Sequence, residues 1–224
     1  MKSTFLLIII SLFIFSCAHK PSRGVSIVAP TSGLMKNSLA PFSVYLTDSL
    51  VNRTDLEKKY SGPLYIVHTG HILSPKLSKD ENEKNLNSLI NLGINLVNLT
   101  LEDFIIAELQ GIKFENYNQK FLNSSVIDVN LDGLVKAKNI NSYETSEGMA
   151  FLGLSDKRLD KKLIKEETKE KYIINDYVLS ILKVKKTALQ NSPVNSFVII
   201  HTLGNEINEV MTRLPPSYIN SLAN

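Results

Sequence analysis

Four short polar blocks hold side chains able to ligate a metal or move a proton: Thr47-Asp48, His68-Thr69-Gly70-His71, Thr100-Leu101-Glu102-Asp103 and His201-Thr202-Leu203-Gly204. Each follows a short apolar run. Asp, His and Glu are common oxygen and nitrogen donors for divalent cations, and convergence of several chain segments is how such a site is assembled. A plainer explanation stays open, because chain leaving a buried strand is polar wherever it surfaces. Ser74 and Ser155 also follow glycine-containing runs, but no Gly-x-Ser-x-Gly elbow occurs, which argues against a serine-hydrolase triad. His68 reads as a strand histidine rather than a base. A Gly-rich phosphate loop is absent from the sequence.

The elements that must position these blocks are legible as apolar runs alternating with helical periodicity. Strands are expected at residues 42–46, 64–68, 95–99, 121–124, 149–154 and 197–201. Helices are expected at 53–60, 84–92, 101–110, 175–190 and 206–214. The helix at 175–190 has the clearest pattern, with Asn175 as its cap and Val178, Ile181, Leu182 and Leu189 on one face. Such alternation predicts an α/β layered fold, in which chemistry gathers at the carboxyl ends of strands. All four polar blocks would lie there. The Lys/Glu-rich stretch from Lys157 to Lys171 reads as a solvated face.

Four segments extend the pattern beyond single residues. GPLYIVHTGHILSPKLSKDENEKNLNSLINLGINLVNLTLEDF resembles a stretch of the calcineurin-like metallophosphoesterases of the 5'-nucleotidase branch. In that family a strand ending in Gly-Asp leads through Ser-Pro and a helix ending in Leu-Gly to a Gly-Asn-His-Glu-Phe block. Gly70, Ser74, Pro75, Leu92, Gly93 and Phe104 match as they stand. Upstream, VYLTDSL resembles the family's Asn-Asp-x-His motif; downstream, GMAFLGLSD and VIIHTLGNEI resemble its Val-Gly-x-x-Gly-Leu strand and the strand ending in a metal-binding histidine. The resemblance covers residues 42–224. It implies a layered metallophosphoesterase-like β-sandwich flanked by helices, truncated because the family's nucleoside-binding C-terminal domain has no counterpart.

The ligand positions implied by the resemblance depart from the family. Asp48 and His201 match, but Leu50 replaces the histidine of the first motif, His71 the bridging aspartate, and Leu101-Glu102 the Asn-His pair. Nothing resembling the closing Gly-His-x-His motif follows residue 214. A dinuclear site holds its ions roughly 3.5 to 4 Å apart and needs a bridging oxygen. Imidazole nitrogens diverge too far to bridge at that separation, and leucine has no lone pair. Glu102, with the ordinary carboxyl pKa of about 4.3, would be a poor proton donor at neutral pH.

Two function classes follow. In one, the domain is non-catalytic, expected to carry no cofactor, and serves as a binding or envelope-assembly module. In the other it is a phosphoester hydrolase with one divalent metal ion on a vestigial set of Asp48, His71 and His201, and with Glu102 as fourth ligand or base. A module that recognises peptidoglycan or a partner lipoprotein is a further reading.

Composition bounds these choices. The 224 residues have 25 Lys+Arg against 22 Asp+Glu, a formal charge of +3, with no basic field for nucleic acid. The hydrophobic share of 43% suffices for one sizeable core. Cys17 is the sole cysteine, so neither a disulfide framework nor a multi-cysteine metal site is available. It follows Lys2, an apolar run from Phe5 to Phe15, and Ser16. The run is shorter than the roughly 20 residues that span a bilayer, so residues 1–16 read as a signal peptide. Ile14-Phe15-Ser16-Cys17 resembles a bacterial lipobox, which implies lipidation of Cys17 and anchoring to an envelope membrane; Ala18 after it favours the outer membrane. Residues 17–40, with scattered Pro, Ser and Gly, read as a tether, and residues 41–224 as the domain.

Overall fold

The computed structural model describes residues 25–28, 33–35, 42–60, 62–160, 163 and 170–215. Along the chain lie β1 (Val25–Val28), β2 (Gly33–Met35), β3 (Ser43–Thr47), α1 (Arg53–Lys59), β4 (Leu64–His68), α2 (Lys79–Asn91), β5 (Leu96–Asn98) and α3 (Leu101–Gln110). Then come β6 (Phe121–Leu122), β7 (Val126–Asp128), β8 (Gly133–Leu134), β9 (Ile140–Asn141), β10 (Glu144–Ser146), β11 (Met149–Leu154), β12 (Tyr172–Ile174), α4 (Tyr177–Asn191), β13 (Ser196–His201) and α5 (Glu206–Arg213).

Two sheets face one another. The six-stranded sheet has the order β2-β3-β4-β5-β6-β9, with β3 to β9 parallel and β2 antiparallel at one edge. The four-stranded sheet has the order β1-β13-β11-β10, in which β10 alone runs antiparallel. A small antiparallel sheet, β12-β7-β8, lies apart from both in pairing. The central strands are mostly apolar on both faces because both faces are covered. Val44, Leu46, Val67, Leu96 and Leu122 of the first sheet meet Met149, Phe151, Val198 and Ile200 of the second. The alternate residues Ala150, Leu152, Leu154, Phe197 and Ile199 point outward onto α4 and α5. Leu64, Ile66, Val97 and Phe121 likewise turn to the helices on the other side, meeting Leu86, Leu89, Phe104 and Ile105. The result is a helix-sheet-sheet-helix sandwich, the layered α/β architecture expected.

Five local readings change. The stretch expected to be a tether contributes β1, parallel to β13, and β2, antiparallel to β3; its Pro and Ser residues concealed the strand-forming Val25-Ser26-Ile27-Val28. The second helix begins at Lys79 rather than 84, because Ser78 and Glu81 form a capping box ahead of any apolar periodicity. Asp176, not Asn175, caps α4, its carboxylate accepting from the Leu179 amide at 3.0 Å. Leu189 is 44% exposed and leaves the apolar face of that helix. Within the Lys/Glu-rich stretch, Leu159 and Leu163 pack on the core. Residues 1–16 and Cys17 lie outside the described residues. Among the described residues no helix is long and apolar enough to cross a membrane.

Candidate functional site

The carboxyl ends of the two sheets are tied together by a buried amide. Asn98, at the end of β5, donates through Nδ2 to the Thr69 carbonyl at 2.9 Å and to the Leu154 carbonyl at 3.3 Å. It spans from the β4 exit to the β11 exit. Gly153 makes room for it: a Cβ there would stand 2.1 Å from Asn98 Oδ1. Gly70 has φ +129, and a Cβ on it would lie 2.5 Å from Thr100 Cγ2, so the β4 exit can pass this close only as glycine.

Asp103 holds the next turn. It is fully buried and accepts from the amides of His71 at 3.1 Å, Leu73 at 2.9 Å and Thr100 at 2.9 Å, and from the Thr100 hydroxyl at 2.7 Å. One carboxylate thus closes the capping box of α3 and fixes the loop after β4. Burial pushes its pKa up, and these hydrogen bonds pull partly against that. His71 itself has φ 56, a left-handed conformation that is uncommon outside glycine. The Asp103 contact to its amide sustains that geometry.

The His71 imidazole stands between two carboxylates. Nδ1 lies 3.6 Å from Glu102 Oε2, and Nε2 lies 3.9 Å from Asp156 Oδ1. Burial raises the pKa of Glu102, partly offset by His71. Asp156 is buried at the exit of β11, receives Arg158 Nε at 2.5 Å and draws Thr202 Oγ1 to its amide at 3.0 Å. Arg158 also donates to the Thr202 carbonyl at 2.8 Å, joining the β11 and β13 exits. Asp156 Oδ1 has no hydrogen-bond partner among the described residues.

The remaining predicted residues fall around this cluster. Asp48 is exposed after β3 and lines, with Leu50, His68 and His71, a cleft of about 140 Å³. His68 is buried; desolvation lowers its pKa to about 4 despite the nearby Asp48, and its Nδ1 accepts from the Gly70 amide at 3.3 Å. His201 ends β13, buried, with its pKa lowered by desolvation and its Nδ1 unpartnered among the described residues. Leu101 is buried in the apolar core at the start of α3. Ser155 is committed structurally, accepting from the Leu101 amide at 2.6 Å and donating to the Asp156 carbonyl at 2.9 Å. Ser74 lies at the turn before α2, where its amide donates to Asn82 Oδ1 at 2.9 Å.

So the structure joins His71 to Glu102 and places Asp48 in the same cleft, but Asp48, His71 and His201 do not form a ligand set. Among the described residues no three His, Cys, Asp or Glu side chains form a group able to hold a metal ion. The donors present do not fit the two-ion centre that the resemblance implies. Asp156 and Arg158 were not singled out from sequence. The available signal was that Ser155-Asp156 follows an apolar strand in the same way as the four blocks that were chosen.

No protein-family model matches the chain, and no curated protein matches it. Solved structures do. The sulfate thiohydrolase SoxB of Thermus thermophilus, in complex with glycerol, is similar with TM-score 0.56 and 14% identity, covering 72% of this chain and 30% of that one. The NAD nucleotidase NadN of Haemophilus influenzae is similar with TM-score 0.52 and 16% identity, covering 84% of this chain and 35% of that one. The chain spans about a third of the length of these neighbours. At such identities the likeness is one of fold, and it is the layered, helix-flanked sandwich expected from the metallophosphoesterase resemblance.

Proposed function

We propose that this chain is a lipid-anchored, non-catalytic domain of metallophosphoesterase-like fold, acting as a binding or assembly module in a bacterial envelope. The observation that carries the reading is the placement of the His71 imidazole between Glu102 and Asp156. The strand ends keep their fold, but Asp156 is paired with Arg158 and the His71 ring lies against Glu102. Leu101 in the core and Leu50 at the cleft take positions where the related motifs have donors. The anchor is Cys17 behind its apolar run, and a lipid-modified Cys17 N-terminus in the membrane-extracted protein is the expected mass-spectrometric result. A soluble, unmodified chain would contradict it.

One observation favours a second reading, a hydrolase with a reduced one-metal site. Burial raises the pKa of Glu102, and Asp156 Oδ1 and His201 Nδ1 are buried and without hydrogen-bond partners among the described residues. A hydrolysis screen over nucleotides and phosphodiesters with manganese, zinc or magnesium separates the two. The non-catalytic reading expects no turnover above a His71→Ala control. Turnover abolished by Glu102→Gln would establish the second.

A further inference from the structure

Away from the strand ends just described, the β9 edge of the six-stranded sheet and the neighbouring β10 carry two adjoining clefts, of about 420 and 340 Å³, that share Asn141. Neither shares a residue with the His71 cleft. The first is walled by amides: Asn116, Asn118, Asn139 and Asn141, with Tyr117 among them. The second is walled by hydroxyls, from Ser142, Tyr143, Thr145 and Ser192. Amides and hydroxyls each offer both a donor and an acceptor, the pairing that vicinal hydroxyls and acetamido groups of a sugar require.

The walls are rigid where they must be and uncommitted where a ligand would bind. Asn139 Nδ2 donates to the carbonyls of Phe114 and Tyr117, both at 2.8 Å, which fixes the chain around the first cleft. Asn191 Nδ2 reaches the Tyr143 hydroxyl at 3.3 Å, which holds that ring in the second cleft. By contrast, Asn116 and Asn118 are exposed and their side chains make no hydrogen bond among the described residues. Preorganised walls lower the ordering cost of binding, and tyrosine offers an apolar face with a polar tip. Charge is largely balanced: Lys120 pairs with Glu144, and Glu115 offsets one of the two remaining lysines, Lys136 and Lys138.

We propose that this double cleft binds a short oligosaccharide of largely uncharged, N-acetylated sugars. The site stands whether or not the strand-end cluster is catalytic. The test is titration calorimetry of the full chain, in a detergent without a sugar head group, with N-acetylglucosamine tetramer. Saturable binding is expected, weakened at least tenfold by Asn118→Ala and by Tyr143→Ala and insensitive to 0.5 M salt (roughly a Debye length of a few ångströms). Circular dichroism spectra identical to wild type would show that the variants fold. Absence of saturable binding, binding unchanged in both folded variants, or binding only to a polyanionic glycan and abolished by salt would overturn the proposal.

Discussion

His68 and Asp103 illustrate how single buried groups govern the loop after β4. An unpaired buried amide costs about 1–3 kcal/mol, and Asp103 satisfies three amides at once. His68 adds a pH dependence. Its pKa is about 4 in the folded chain against an ordinary 6.5, so between those values the unfolded chain binds more protons. Its contribution is fully present above pH 6.5 and falls as pH drops toward 4, by about 3 kcal/mol at most. His201 acts with the same sign, whereas Glu102 and Asp103, raised by burial, act with the opposite one. The difference between wild type and His68→Asn isolates the term, since asparagine can still accept from the Gly70 amide. Urea denaturation at pH 7.5 and 4.5 should show wild type losing about 2 to 3 kcal/mol more than the variant across that interval; equal losses would refute it. At this scale the sequence was partly legible. His71 and Glu102 stood out by type, but Asp103 was hidden behind Glu102, Asp156 closes a segment read for its strand, and Arg158 lies in the Lys/Glu-rich stretch read as a solvated face.

Gly153 and Asn98 show what the strands contribute beyond their own pairing. Their contact crosses from one sheet to the other, with no space for a methyl group on β11. Gly153→Ala should destabilise the chain by about 1–3 kcal/mol or more through overpacking. The double variant with Asn98→Ala should cost less than the sum of the two single changes, because the clash goes with the amide; additive losses in thermal denaturation would show that the two positions are not coupled. Strands β4 and β11 and helix α3 were readable to the residue, since their apolar runs end abruptly at polar blocks. The expected strand at 121–124 is realised as the two residues of β6, whereas the two-residue strands β8 and β9 are too short to form a pattern of their own and exist by pairing with neighbours. The strands β1 and β2 were concealed by Pro and Ser beside them, and only their partners β13 and β3 make them strands.

Across the molecule, two sheets and two helix layers bring five strand exits, those of β3, β4, β5, β11 and β13, into one region, and the chemistry there depends on what those exits supply. A divalent ion needs several deprotonated donors on one centre, and its binding free energy falls as they are lost. Here the imidazole of His71 is 3.6 Å from Glu102 and 3.9 Å from Asp156, yet no set of three His, Cys, Asp or Glu side chains among the described residues is arranged to hold a metal ion. The layered fold could be anticipated from the order of apolar runs and motifs, whereas whether the exits would coordinate an ion depended on side-chain placement that spacing does not encode. Titration calorimetry of manganese and zinc into the full chain, beside His71→Ala, decides whether these strand exits hold a metal ion. No stoichiometric, tight binding is expected for either protein. A one-to-one site in the wild type that disappears in His71→Ala would contradict this expectation.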